Sequence, residues 1–186
     1  MFTNEVSEWL SKNVPNFIDL PREAKAEIVS FSILWSFFER RVLDESASVL
    51  KIRQKIEEWE EHKLLQPNDF DNALSYFKKR YLDPNTGQPN DRFRNLLIRR
   101  DDAEDTVTGV LIGNKDEADA ILAALLIIVY RYRSNFFHGM KSAYTFRDQG
   151  DNFRKANEIL MKAMEIHTRL KEEKPSRKST QSPGSR

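Results

Sequence analysis

Residues 120–130, Ala-Ile-Leu-Ala-Ala-Leu-Leu-Ile-Ile-Val-Tyr, form the longest uninterrupted apolar run in this chain. As a helix they are apolar on every side, and such a helix has to be covered all round by other elements. The run falls well short of the ~20 residues that a membrane span needs. It therefore predicts a central, buried helix with a shell of further helices packed around it.

The rest of the chain supplies that shell. Six glycines and seven prolines punctuate 186 residues, and no alternating strand pattern stands out. The expected fold is all-α, an antiparallel helical bundle with additional peripheral helices. Its domain covers residues 1–171. Residues 172–186 hold no apolar side chain and are expected to form a disordered basic tail.

Helical spacing places the elements. A first helix is expected over residues 4–13, with Val6, Trp9 and Leu10 inward and Pro15 ending it. A second begins near Pro21, a favoured first-turn residue, and carries the stripe Ile28, Phe31, Trp35, Phe38, Val42. Glu39 sits one turn after Trp35, either as a solvated flank residue or as the partner of a buried arginine. A third spans residues 46–65, with Val49, Ile52, Ile56 and Trp59 on one side. A fourth spans residues 68–81, with Phe70, Leu74, Phe77 and Tyr81 inward. Lys78, Lys79 and Arg80 at its end complement the helix dipole.

A turn at residues 83–87 precedes a short basic helix over 91–100, with Phe93, Leu96 and Leu97 as its apolar positions. Residues 107–112 are compatible with a packed loop, a short helix or a strand. Asn114, with Glu117 three residues on, reads as the cap of the central helix. Gly139 is placed to stop that helix. The last helix covers residues 148–171, and His167 on its stripe reads as a packed or interfacial histidine.

Composition excludes several functions. Hydrophobic residues make up 39% of the chain, including twelve Phe, enough to fill a core. The formal net charge is +1, so bulk charge does not mark a nucleic-acid binder, and any phosphate contact has to come from a local cluster. The absence of cysteine excludes disulfides and thiolate zinc sites and suits a cytoplasmic protein. The first residues lack the basic and apolar regions of a signal peptide. Histidines 62, 138 and 167 have no metal-ligand spacing, and no Gly-rich phosphate loop or Gly-x-Ser-x-Gly elbow occurs, so neither metal nor cofactor is expected.

The chemistry concentrates just after the apolar run. Leu122, Leu126, Val129 and Arg133 fall on one helical stripe, so the arginine continues a core-facing line. A guanidinium there has to find acceptors, because burying it unpaired is costly. Glu39 is the first candidate for that partner. On a continuous helix Arg133 and His138 lie ~140° apart, from ~100° per residue, so they share a site only if the helix unwinds between them or two subunits pair.

Arg133-Ser-Asn-Phe-Phe-His138 resembles the arginine, four to six residues, histidine motif of the HEPN superfamily, and of its Apea-like members. The preceding apolar helix, Gly139, Lys141 and the long helix after Arg147 and Asp148 strengthen the likeness, which is closest over residues 117–170. Family members often carry Asn or Asp after the arginine; here Ser134 stands there, and Asn135 follows.

The resemblance implies a helical homodimer that brings two motifs into one cleft and cleaves RNA without metal, as a toxin or antiphage defence effector. A cognate antitoxin or a nucleotidyltransferase-like partner goes with such a role. The residues fit that chemistry. His138, with an ordinary pKa near ~6.5, can take or give a proton. Arg133 can hold phosphate oxygens in a bidentate fork. Asn135 can orient either. Ser134, Glu39, Lys141 and Tyr132 are support or substrate-binding candidates, and Tyr132 or Phe136 can stack on a base or pack in the core. Two other readings stand beside this one. The first is a non-catalytic module of the same kind that binds RNA, nucleotide or protein. The second is a purely structural role, with Arg133 paired to Glu39 and His138 capping the helix end.

Overall fold

The apolar run lies inside helix α7, and the computed structural model shows what covers it. The structure describes residues 3–66, 68–99, 103–137 and 149–178, apart from the side chains of Phe137 and residues 174–178. Within them the helices are α1 (Asn4–Asn13), α2 (Arg22–Val42), α3 (Val49–Glu61), α4 (Asp71–Tyr81), α5 (Asp91–Arg94), α6 (Glu104–Ile112), α7 (Ala118–Phe137) and α8 (Gly150–Lys178). Among the described residues there is no strand, only an isolated bridge between Leu82 and Pro89. The all-α expectation holds. No helix among them is long and apolar enough to cross a membrane.

All residues from Ile121 to Val129 are buried. α3 and α6 pack directly on α7, and α4 and α8 close it from other sides. α2 and α8 form the most extensive helix pair. They start together: a Cβ added at Gly150 would lie 2.9 Å from the Ala24 Cβ, and the Asn157 amide donates to the Glu27 side chain at 2.7 Å. Asp44, just past the end of α2, lies within electrostatic reach of His167 far along α8. This pair therefore runs parallel, not antiparallel as the sequence reading expected of the bundle, because the chain between them crosses back before α8 begins beside the start of α2. The α2 stripe is buried as expected, from Ile28 through Phe31, Trp35 and Phe38 to Val42.

Several boundaries differ from the sequence reading, each for a local reason. Ser48 caps α3 by accepting from the Lys51 N–H, so the helix starts later than residue 46. α5 is a single turn: Leu97 takes a positive φ of 53° and is largely exposed, and the helix does not reach residue 99. The undecided segment 107–112 is helical and belongs to α6. Gly113 ends α6 in the left-handed conformation, and the Asn114 N–H donates back to the Gly109 carbonyl at 2.8 Å. Asn114 thus wraps the end of α6, and α7 starts at Ala118, three residues later than a cap at Asn114 would give.

α1 is peripheral, with no buried residue. Val6 and Trp9, expected inward, are exposed, and only Leu10 packs against the core. α8 continues to Lys178, past the boundary placed at residue 171. Glu172, Glu173 and Lys174 are good helix formers, so lack of apolar residues did not end the helix there. Residues 179–186 of the expected tail lie outside the described residues.

Leu126 is 1% exposed at the centre of this packing. Leu126→Ala is expected to lower unfolding free energy by about 2–5 kcal/mol. Urea denaturation followed by circular dichroism checks this, with the slope unchanged from wild type.

Candidate functional site

The site is built where α2 passes the end of α7. Trp35 and Glu39 are one turn apart on α2, so the indole can reach the carboxylate. Its Nε1–H donates to Glu39 Oε2 at 3.0 Å. The other carboxylate oxygen accepts from the Ala47 N–H at 3.0 Å. That contact needs the chain to fold back after α2, and Asp44 and Glu45 turn it with positive φ values of 49° and 62°. The Glu39 carbonyl completes the turn by accepting from the N–H groups of Leu43 and Glu45. Glu39 is thus fixed by an aromatic ring on one side and a turn on the other.

Arg133 approaches this fixed carboxylate from α7. Its Nη2 lies 3.9 Å from Glu39 Oε2, with side-chain exposures of 28% for the arginine and 21% for the glutamate. Of the two sequence readings of Glu39, the partner role is the one realised. One turn before Arg133, Tyr130 faces Trp35 with ring centroids 6.1 Å apart. The group brought together is Trp35, Glu39, Tyr130 and Arg133: a half-buried guanidinium aimed by a carboxylate, bordered by two aromatic rings. It can offer a phosphate a positively charged fork while its orientation is held from behind.

The structure separates other candidates from Arg133. α7 is continuous through Phe137, so Asn135, two residues on, points about 160° away, from ~100° per residue. Asn135 is buried, at 6% exposure. It does not share the Arg133 face, which argues against its filling in for the residue at Ser134. Ser134 itself is half-buried. His138, Gly139 and Lys141 lie outside the described residues.

Tyr132 is a core residue rather than a base-stacking platform. It is 3% exposed, its hydroxyl bonds that of Tyr81, and its ring meets Phe77 and Phe153. Burial, and then the neighbouring Tyr81, push its ionisation well above the ordinary tyrosine value. Phe136, partly buried, packs edge-on against Phe153 at 5.7 Å, so it too belongs to the aromatic core. Arg131 is turned the other way, its Nε–H donating to the Leu96 carbonyl at 3.0 Å. It ties the segment after α5 to α7.

A separate cleft of about 730 Å³ opens between the first turns of α2 and α8. Asp19, Glu23 and Glu27 line it from the α2 side, and Arg80, Arg92 and Arg154 from α4, α5 and α8. Arg133 is not part of it. Among the described residues no group of three or more His, Asp or Glu side chains is arranged to hold a metal ion. Sequence reasoning missed the Ala47 N–H and the turn that presents it. The Trp35–Glu39 spacing was the signal that pointed to the rest.

The chain matches no protein-family model, and no curated protein or solved structure matches it significantly. The site thus stands on its own residues. Glu39→Ala leaves the Trp35 and Ala47 N–H groups without their acceptor. It is expected to cost about 1–3 kcal/mol, read as a shift in the urea midpoint, whereas Ser134→Ala stays within about 0.5 kcal/mol of wild type.

Proposed function

We propose that this chain is an endoribonuclease of HEPN type that cuts RNA without a metal ion, with Arg133 binding the phosphate and His138 moving the proton. The observation that carries the reading is Arg133. At the end of the most apolar helix it is neither lost in the core nor swinging free; it is half-buried and aimed by a carboxylate that is itself anchored twice. The Arg133-to-His138 spacing follows from the sequence.

The reaction balances on these groups. The ribose 2′-oxygen attacks the adjacent phosphorus while its proton passes to the imidazole of one His138. The bond from phosphorus to the 5′-oxygen breaks, and that oxygen takes a proton from an imidazolium. The products are a 2′,3′-cyclic phosphate and a 5′-hydroxyl. Arg133 stabilises the charge that builds on the non-bridging oxygens. Pairing of two chains supplies the second imidazole, His138 of the partner subunit, so that one acts as base and the other as acid. Such an enzyme serves as a toxin or defence effector and is held in check by an antitoxin or a nucleotidyltransferase-like partner.

The 3.9 Å approach of Arg133 to Glu39 also favours a second reading, in which the pair is only structural. The two readings separate in one assay. Total RNA is incubated with wild type, Arg133→Ala and His138→Ala in EDTA, with each variant's fold checked by circular dichroism. The nuclease reading expects cleavage by wild type and a loss of roughly 10²-fold or more in folded His138→Ala, the usual range for an acid–base residue. Equal cleavage by all three proteins, or by none, contradicts it.

A further inference from the structure

We propose that the contact between α3 and the second half of α8 is an acid-released latch, with His167 as its trigger. His167 lies on the buried stripe of α8 with Leu160, Ala163, Ile166 and Leu170, and is 7% exposed. Among the described residues neither of its ring nitrogens has a hydrogen-bond partner, and both atoms are buried. Its ring meets Trp59 of α3 edge-on, with centroids 6.3 Å apart. Trp59 is fully buried, and its Nε1 likewise has no partner among the described residues.

A neutral imidazole is tolerated in such a place. An imidazolium is not: it carries a full charge and two N–H donors into a site where neither nitrogen meets an acceptor among the described residues. The charged groups facing the ring do not reverse this. Lys171 on α8 and Lys55 on α3 oppose its protonation; Glu58 on α3 and Asp44 in the α2–α3 turn favour it. Burial is the largest influence, and the net result is an ionisation below the ordinary histidine value. Farther along, His62 Nδ1 lies 3.4 Å from Glu173 Oε2 across the same two helices.

The direction follows from linkage. With the folded value depressed, the undocked state binds the proton more readily. The docking energy that His167 contributes is complete above its unfolded value near ~6.5 and is lost as pH falls from there toward the folded value. The first half of α8 is held to α2 by Phe31 on Phe153 and by the Asn157–Glu27 bond, with no histidine involved. Release is therefore confined to the second half.

Two measurements on the full chain test this. The first is hydrogen–deuterium exchange of peptides covering residues 160–173, corrected for intrinsic exchange, between about pH 7.5 and about 5.5. Opening is expected to rise by up to roughly tenfold per pH unit below ~6.5, while peptides at the start of α8 stay unchanged. In His167→Phe and His167→Gln the rise disappears. The second is an NMR titration of the wild-type His167 ring, which needs no variant to fold and is expected to show protonation below the ordinary histidine range. A flat exchange profile in wild type, an undiminished rise in a folded variant, or ordinary titration of His167 overturns the latch.

Discussion

A guanidinium at the end of a helix with no polar face is the constraint around which this molecule is arranged. The burial of residues 121–129 draws α3, α4, α6 and α8 around α7. Four residues beyond Val129 the same stripe delivers Arg133. Leaving that charge unpaired in apolar surroundings is costly. The chain meets it with Glu39, placed by α2 and fixed by Trp35 and the Ala47 N–H. A partly exposed ion pair at 3.9 Å contributes at most on the order of 1 kcal/mol, less than the two hydrogen bonds that fix the carboxylate. The pair is better understood as a means of aiming Arg133 than as a source of stability.

The continuity of α7 has a second consequence. Side chains at its end are distributed by the ~100° step between residues, and neighbours in sequence serve different surroundings. Arg131 holds the segment after α5, Tyr132 joins the aromatic core through Tyr81, and Arg133 alone turns to Glu39. Asn135 is buried on another side. Residues 131 to 135, contiguous in sequence, are thus divided in space. Arg133 is the one of these that stays partly exposed beside a carboxylate.

Much of this was legible in the sequence. The apolar run predicted the central helix because nothing else accommodates it. The α2 stripe was readable from its three- and four-residue spacing. The Glu39–Arg133 partnership followed from the cost of a buried charge. What escaped the reading was decided by tertiary contacts or by loop conformation. Trp9 looks core-facing from its spacing, yet it is exposed, and α1 touches the core through Leu10 with no residue of its own buried. Asn114 carries a capping pattern, but Gly113 next to it ends α6 first and draws Asn114 into that turn. The Glu39 contact with Ala47 depends on two positive-φ residues, Asp44 and Glu45, that are not glycines. No periodicity reports such a turn.

The proposed reaction has Arg133 and His138 assist attack by a ribose 2′-hydroxyl on its own phosphate. The most direct measurement offers the protein an oligoribonucleotide and its fully 2′-O-methylated counterpart, with the product ends identified by mass spectrometry. The account predicts cleavage of the first alone, leaving 2′,3′-cyclic phosphate and 5′-hydroxyl ends. Cleavage of both strands, or products with 5′-phosphate ends, would contradict it.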